Sequence, residues 1–144
     1  MDALEDLGAA VSGIGIGLEK DEMEAARLLD ATKEGGILYG MLNNIDTFIE
    51  EMGEVGDEGN NYYAVGNSLT IADLLTFTSM GRLVGGVYCG IPSTVCDPFQ
   101  NIQKVRRMVG QDPRVMDWYD ERKRVGKLSP AELVMSDCRD LKFL

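Results

Sequence analysis

The stretch Gly66-Asn67-Ser68-Leu69-Thr70-Ile71-Ala72-Asp73-Leu74 sets the start of a helix and places that start under apolar residues. Thr70 is positioned to cap the amide of Asp73, Asp73 to reach back to the amide of Thr70, and Leu69 to staple onto Leu74 across the first turn. The helix that follows carries Ile71, Leu74, Leu75, Phe77, Thr78, Met80 and Val84, apolar on nearly every side. Such a pattern predicts a central, surrounded helix rather than a surface one.

The flanking sequence is expected to be helical throughout. Upstream, Tyr62-Tyr63-Ala64-Val65 is expected to pack beneath the capped helix, after a glycine-rich polar loop from Gly53 to Asn61. From Ile37, apolar residues at Leu38, Met41, Leu42, Ile45, Phe48, Ile49 and Met52 keep a three-and-four spacing that predicts one broad buried stripe. Asp21 to Thr32 reads as amphipathic, with Met23, Ala26 and Leu29 or its neighbour turned inward, and Gly35-Gly36 separates the two helices. Downstream, Pro98 starts a helix bearing Phe99, Ile102, Val105 and Val109. Asp112 caps the next one, with Pro113 in its first turn, Val115, Trp118 and Tyr119 facing the core, and Gly126 at its end. Residues 127–144 form a tail, whose Pro130 to Met135 reads as a short helix. No segment alternates as a strand does, and no internal repeat occurs. The expected architecture is all-α, a bundle of about five to six helices, with one domain over residues 1–126 and the tail behind it.

At 144 residues the chain buries roughly two thirds of its unfolded surface, enough for a core without staples. Cys89, Cys96 and Cys138 are an odd number without paired short spacing, which argues for free thiols in a reducing compartment. Met1-Asp2-Ala3-Leu4-Glu5-Asp6 shows no basic region ahead of an apolar run, so no secretory signal is read there. The expectation is a cytoplasmic protein, or an organellar one if a targeting peptide has been removed. From Leu74 to Cys96 the only charge is Arg82, but Ser79, Gly81, Gly85, Gly86, Gly90 and Pro92 interrupt the run, which favours a buried helix over a membrane span.

Residues 1–60 hold 15 acids and 3 bases, residues 61–144 hold 9 acids and 11 bases, and the formal net charge is -10. A chain this acidic does not bind nucleic acid through its overall field, and Lys104, Arg106 and Arg107 read as a solvated helix face. The chain has no histidine, which removes histidine proton transfer, histidine metal ligation and Ser-His-Asp or Cys-His arrangements. Gly13-Ile14-Gly15-Ile16-Gly17 imitates a nucleotide fingerprint but lacks the preceding strand and the spaced acidic partner, so it reads as a loop or kink between two helix segments. The methionines at helical spacing are core filling, and no metal site is expected.

The aromatic-Val-Gly segment, Ser68-Leu69-Thr70-Ile71-Ala72-Asp73 opening a buried helix, and Asp112-Pro113-Arg114-Val115 opening a late one together resemble the C-terminal helical domain of cytosolic glutathione transferases. Met1-Asp2-Ala3-Leu4-Glu5-Asp6 also looks like the opening of that domain, closest to its sigma-type members. The resemblance runs from about Asp2 to Arg124. It implies that glutathione is held, and its thiolate stabilised by a Tyr, Ser or Cys, in a separate thioredoxin-like domain, which these residues do not encode. Tyr39, Tyr62, Tyr63, Tyr88 and Tyr119 are then packed aromatics with hydroxyls at the rim, and no catalytic residue is assigned. Alignment with the family pattern puts its acidic pair at Ala9-Ala10 and the wall of its apolar pocket at Val11, Ser12 and the Gly13–Gly17 run.

Two classes of function follow. In one, the chain is a non-catalytic interaction or scaffold module, a homodimer or a docking partner through its first helices, without cofactor of its own. In the other, it is the helical part of an active glutathione transferase, with glutathione bound once a thioredoxin-like domain is supplied. In either case a bare helical domain exposes the apolar face that such a domain covers.

Overall fold

The helix expected to open at Thr70 begins at Ile71 in the computed structural model, which describes residues 2–57, 59 and 61–128. Six helices are described: α1 (Asp2–Gly13), α2 (Lys20–Thr32), α3 (Ile37–Met52), α4 (Ile71–Val84), α5 (Gln100–Gln111) and α6 (Pro113–Arg124). Thr70 and Asp73 form a capping box. The Asp73 carboxylate accepts from the Thr70 amide at 2.7 Å, the Thr70 hydroxyl at 2.9 Å and the amide of Ala64 at 2.7 Å. Its side chain is fully buried, so one carboxylate starts α4 and also fastens the preceding loop onto it.

α4 lies against α5 and α1, α3 packs on α5, α1 and α2 pack on α3, and α6 leans on α5. The core gathers Leu7 and Val11 of α1, Leu38, Leu42, Ile45 and Ile49 of α3, Met80 and Leu83 of α4, and Ile102, Val105 and Val109 of α5. Each fully buried Leu, Ile or Val contributes about 1.5–3 kcal/mol relative to an exposed one. α5 is the most completely enclosed helix, burying even Asn101, Gln103 and Arg106.

Several expected facings differ. α4 is not surrounded: Ile71 is exposed, and Leu74 and Leu75 are only half-buried. The stripe of α3 is narrower than its spacing suggests, since Phe48 and Met52 face outward. On α2, Leu28 and Leu29 are both exposed, while Arg27 and Ala31 are buried. Arg27 takes the inward place because its guanidinium donates to the carbonyl of Cys89 at 3.1 Å. Arg106, expected on a solvated face, is buried and donates to Gln103 Oε1 at 2.7 Å, while Lys104 and Arg107 stay exposed.

The loop from Gly53 contains a two-residue antiparallel ribbon, β1 (Glu54–Val55) with β2 (Tyr62–Tyr63), which the sequence reading did not anticipate. It packs on α5 and adds no layer to the all-α bundle. Gly53 sits where a Cβ would lie 2.6 Å from the Tyr63 carbonyl oxygen, so only glycine lets the ribbon return this tightly beneath α3. The Gly13–Gly17 segment is the turn between α1 and α2, with Gly15 and Gly17 at positive φ. The short helix expected at Pro130 to Met135 lies outside the described residues, as does the tail from residue 129.

Candidate functional site

A largely apolar groove of about 620 Å³ runs between α4 and α6. Both helices lean mainly on α5, leaving between them a furrow floored by Phe77 and Tyr119, whose rings meet edge-on at 6.3 Å. One wall is Leu69, Leu74 and Thr78, and the other is Val115 and Trp118. Trp118, expected in the core, is 48% exposed along this wall, standing edge-on to Tyr119 at 4.9 Å. Helical spacing places Val115, Trp118, Tyr119 and Arg122 on one face of α6, and the Arg122 guanidinium lies 5.1 Å from the Trp118 ring centre.

The polar groups of the groove differ in how far they are already engaged. Asp112 caps α6 by accepting from the Arg114 amide at 2.9 Å, and the Arg114 side chain closes a fork on the same carboxylate at 3.0 and 2.7 Å. These bonds from Arg114 hold the Asp112 carboxyl below its ordinary range, and the pair neutralises itself. The Thr78 hydroxyl is bonded back to the carbonyls of Leu74 and Leu75. Arg82, in the last turn of α4, is exposed, meets no carboxylate among the described residues, and lies over the Tyr88 ring at 5.8 Å. Beyond the Asp112–Arg114 fork the groove adjoins a polar cleft of about 380 Å³ lined by Asn61, Tyr63, Ser68 and Gln111. A smaller apolar cleft of about 360 Å³ opens beside Phe48 and Ala72.

The positions implied as a pocket wall fall elsewhere. Val11 is sealed in the core, and Ser12 is exposed with its hydroxyl donating to the Gly8 carbonyl at 2.8 Å. Tyr39 packs on Phe99 with ring centres 5.3 Å apart, Tyr62 donates to the Ile49 carbonyl at 3.1 Å, and Tyr119 is in the core. Burial, and then the carboxylates of Glu50 and Asp46, push the Tyr62 hydroxyl above its ordinary pKa. Among the described residues no group of His, Cys, Asp and Glu is placed to hold a metal ion, and no helix is long and apolar enough to cross a membrane.

Sequence reasoning passed over Arg82 and misplaced Trp118. The signal for Arg82 was present, since it is the only charge between Leu74 and Cys96. A second surface is the outer face of α2, where Asp21, Glu22, Ala25, Leu28, Leu29 and Thr32 are exposed, with Leu18 and Ile37 exposed close by in the chain. A family model described as glutathione S-transferase, C-terminal domain, matches residues 19–122. No curated protein and no solved structure matches the chain.

Proposed function

The chain belongs to the family of glutathione S-transferase C-terminal domains, and from that premise we propose that it acts as a non-catalytic interaction module which pairs with a second copy through α2. The observation that carries this reading is the outer face of α2, where Leu28 and Leu29 stand in water. Scattered exposed leucines are ordinary, but two adjacent ones on one face of a short helix are apolar surface that association would cover. Antiparallel pairing of two α2 helices sets Asp21 and Glu22 of one copy against Lys33 of the other. That is the self-complementarity a two-fold interface requires.

Glutathione conjugation is not expected of the chain alone. The one carboxylate lining the α4–α6 groove, Asp112, is engaged by the Arg114 fork, and the walls are otherwise apolar. Glutathione enters this reading only when a thioredoxin-like domain is supplied.

Sedimentation of the full chain tests the proposal. The wild type should self-associate to a dimer, and the Leu28→Glu/Leu29→Glu double variant should remain monomeric with unchanged helical circular dichroism. The acidic charge of residues 1–60 repels across such an interface, so the dimer should tighten as salt rises. A wild type that stays monomeric at every salt concentration overturns the self-pairing, as does a Leu28→Glu/Leu29→Glu variant that still associates. Retention on immobilised glutathione, or conjugation of a generic electrophile above background, overturns the non-catalytic reading.

A further inference from the structure

We propose that the chain's own C-terminal segment, residues 129–144, closes the groove between α4 and α6 as an amphipathic helix laid along its apolar walls. This surface is separate from α2, and the inference goes beyond the interaction reading.

It follows from where the chain leaves α6 and from what the remaining residues are. Ser68 and Leu69, just ahead of α4, share a cleft with Asp112 and Arg114 at the start of α6. Both helices therefore begin at one end of the groove, and Arg82 and Arg122 mark the other. Past α6 the chain turns back on itself: Gly126 takes a φ of 67°, the Lys127 amide donates to the Arg122 carbonyl at 2.9 Å, and the Arg122 guanidinium donates to the Lys127 carbonyl at 3.2 Å. Leu128 then lies against the core, so the following residues set out from the Arg82–Arg122 end and need no linker to enter the groove. Their sequence suits the place. Ser129, Pro130 and Glu132 have the spacing of a capping box with proline in the first turn. Ala131, Val134, Met135, Cys138 and Leu141 recur at three and four, one apolar stripe with Asp137 and Asp140 outside it. That stripe measures about 15 Å as helix, against about 12 Å along α4 from Leu74 to Arg82. A helix this short is marginal in water, so covering the apolar walls, more than propensity, is what holds it. Glu132 enters at the end where Arg82 meets no carboxylate among the described residues. Tethering at Leu128 spares the segment the loss of freedom that a separate partner meets on binding.

Cys138 belongs to the stripe, so its reactivity reports closure, and Trp118, the only tryptophan, reports from the groove wall. The experiment takes the full chain with Cys89→Ser and follows maleimide labelling of Cys138 under native conditions by mass. Labelling should be slower on the order of tenfold than in the same chain carrying Val134→Glu/Leu141→Glu, where Trp118 emission should also move to the red. Thr78→Arg, which puts a charge at an exposed position of the groove wall, should free Cys138 comparably. Cys96 should stay unlabelled in every variant, which reports that the bundle remains folded. Three results overturn the proposal. Cys138 labelling at equal rates with and without the two glutamates shows that the stripe is not covered. Protection that survives Thr78→Arg places the segment on another surface, and protection that fades on dilution places a second copy's tail in the groove.

Discussion

At the scale of single residues, Asp73 and Cys96 show how burial alters what a side chain is worth. Asp73 accepts three hydrogen bonds while fully buried, so its loss strands the Ala64 amide as well as the helix start. Asp73→Ala should lower the free energy of unfolding by about 2–4 kcal/mol, more than the roughly 1 kcal/mol of an exposed cap, seen as a lower denaturant midpoint at unchanged slope. Cys96 sits in a turn, which by sequence makes Cys96→Ser innocuous, yet its side chain is fully buried with Sγ 3.7 Å from Met80 Sδ. Cys96→Ser should therefore cost about 1–3 kcal/mol, because the hydroxyl meets a thioether where it needs a hydrogen-bond partner. Burial pushes the Cys96 thiol up to about 11, with Arg106 opposing the shift only in part. The unfolded chain ionises this thiol near its ordinary pKa while the folded chain keeps it protonated. The stability it contributes is therefore complete below about pH 9 and is lost as pH rises toward 11, which thermal melts of wild type and Cys96→Ala across that range would resolve. Native labelling with a maleimide should modify exposed Cys89 and spare Cys96.

Among the elements, the helix starts are capped from a distance as often as from their own sequence. α3 follows Gly36, which offers no side chain, and the carboxylate of Asp30 on α2 accepts from the amides of Ile37 at 3.0 Å and Leu38 at 2.7 Å. α5 follows Phe99, and Asp46 on α3 accepts from the amides of Asn101 and Ile102, both at 2.8 Å, and from the Asn101 side chain at 3.1 Å. Each of these carboxylates satisfies orphan amides and ties two helices together, so it couples packing to capping. Asp46→Ala should accordingly destabilise by about 2–3 kcal/mol and Asp112→Ala, at the exposed start of α6, by about 1 kcal/mol, an ordering that paired urea titrations check. Local sequence identifies Thr70 and Asp112 as caps because the chemistry lies within three residues of the helix start. It is silent on Asp30 and Asp46, which read as ordinary surface acids until the fold brings them round.

On the scale of the whole molecule, the arrangement around α5 decides where apolar surface stays open. With α4 and α6 both packed mainly on α5, their facing sides meet only at the floor through Phe77 and Tyr119, and the apolar residues above line a groove instead of a core. The acidic half of the chain is gathered in α1 to α3 and the following loop, so the folded molecule concentrates like charge. Screening should relieve that repulsion, and the melting temperature should rise with sodium chloride at neutral pH; a flat or falling dependence would show that attractive pairs dominate.

The helical class, the places where α3, α4 and α6 begin, and the family were legible in the chain, because periodicity and capping act over a few residues and need no knowledge of the remainder. The candidate site was only half legible: Leu69, Leu74 and Phe77 declared themselves apolar, and Arg82 stood alone in its apolar run. Whether Trp118 turned to core or water, whether Arg106 was solvated or buried, and which carboxylate capped α5 were settled by tertiary structure alone. The physical reason is that an apolar stripe specifies that a face be covered but not by which neighbour, and only the packing of α4 and α6 on α5 left this one uncovered.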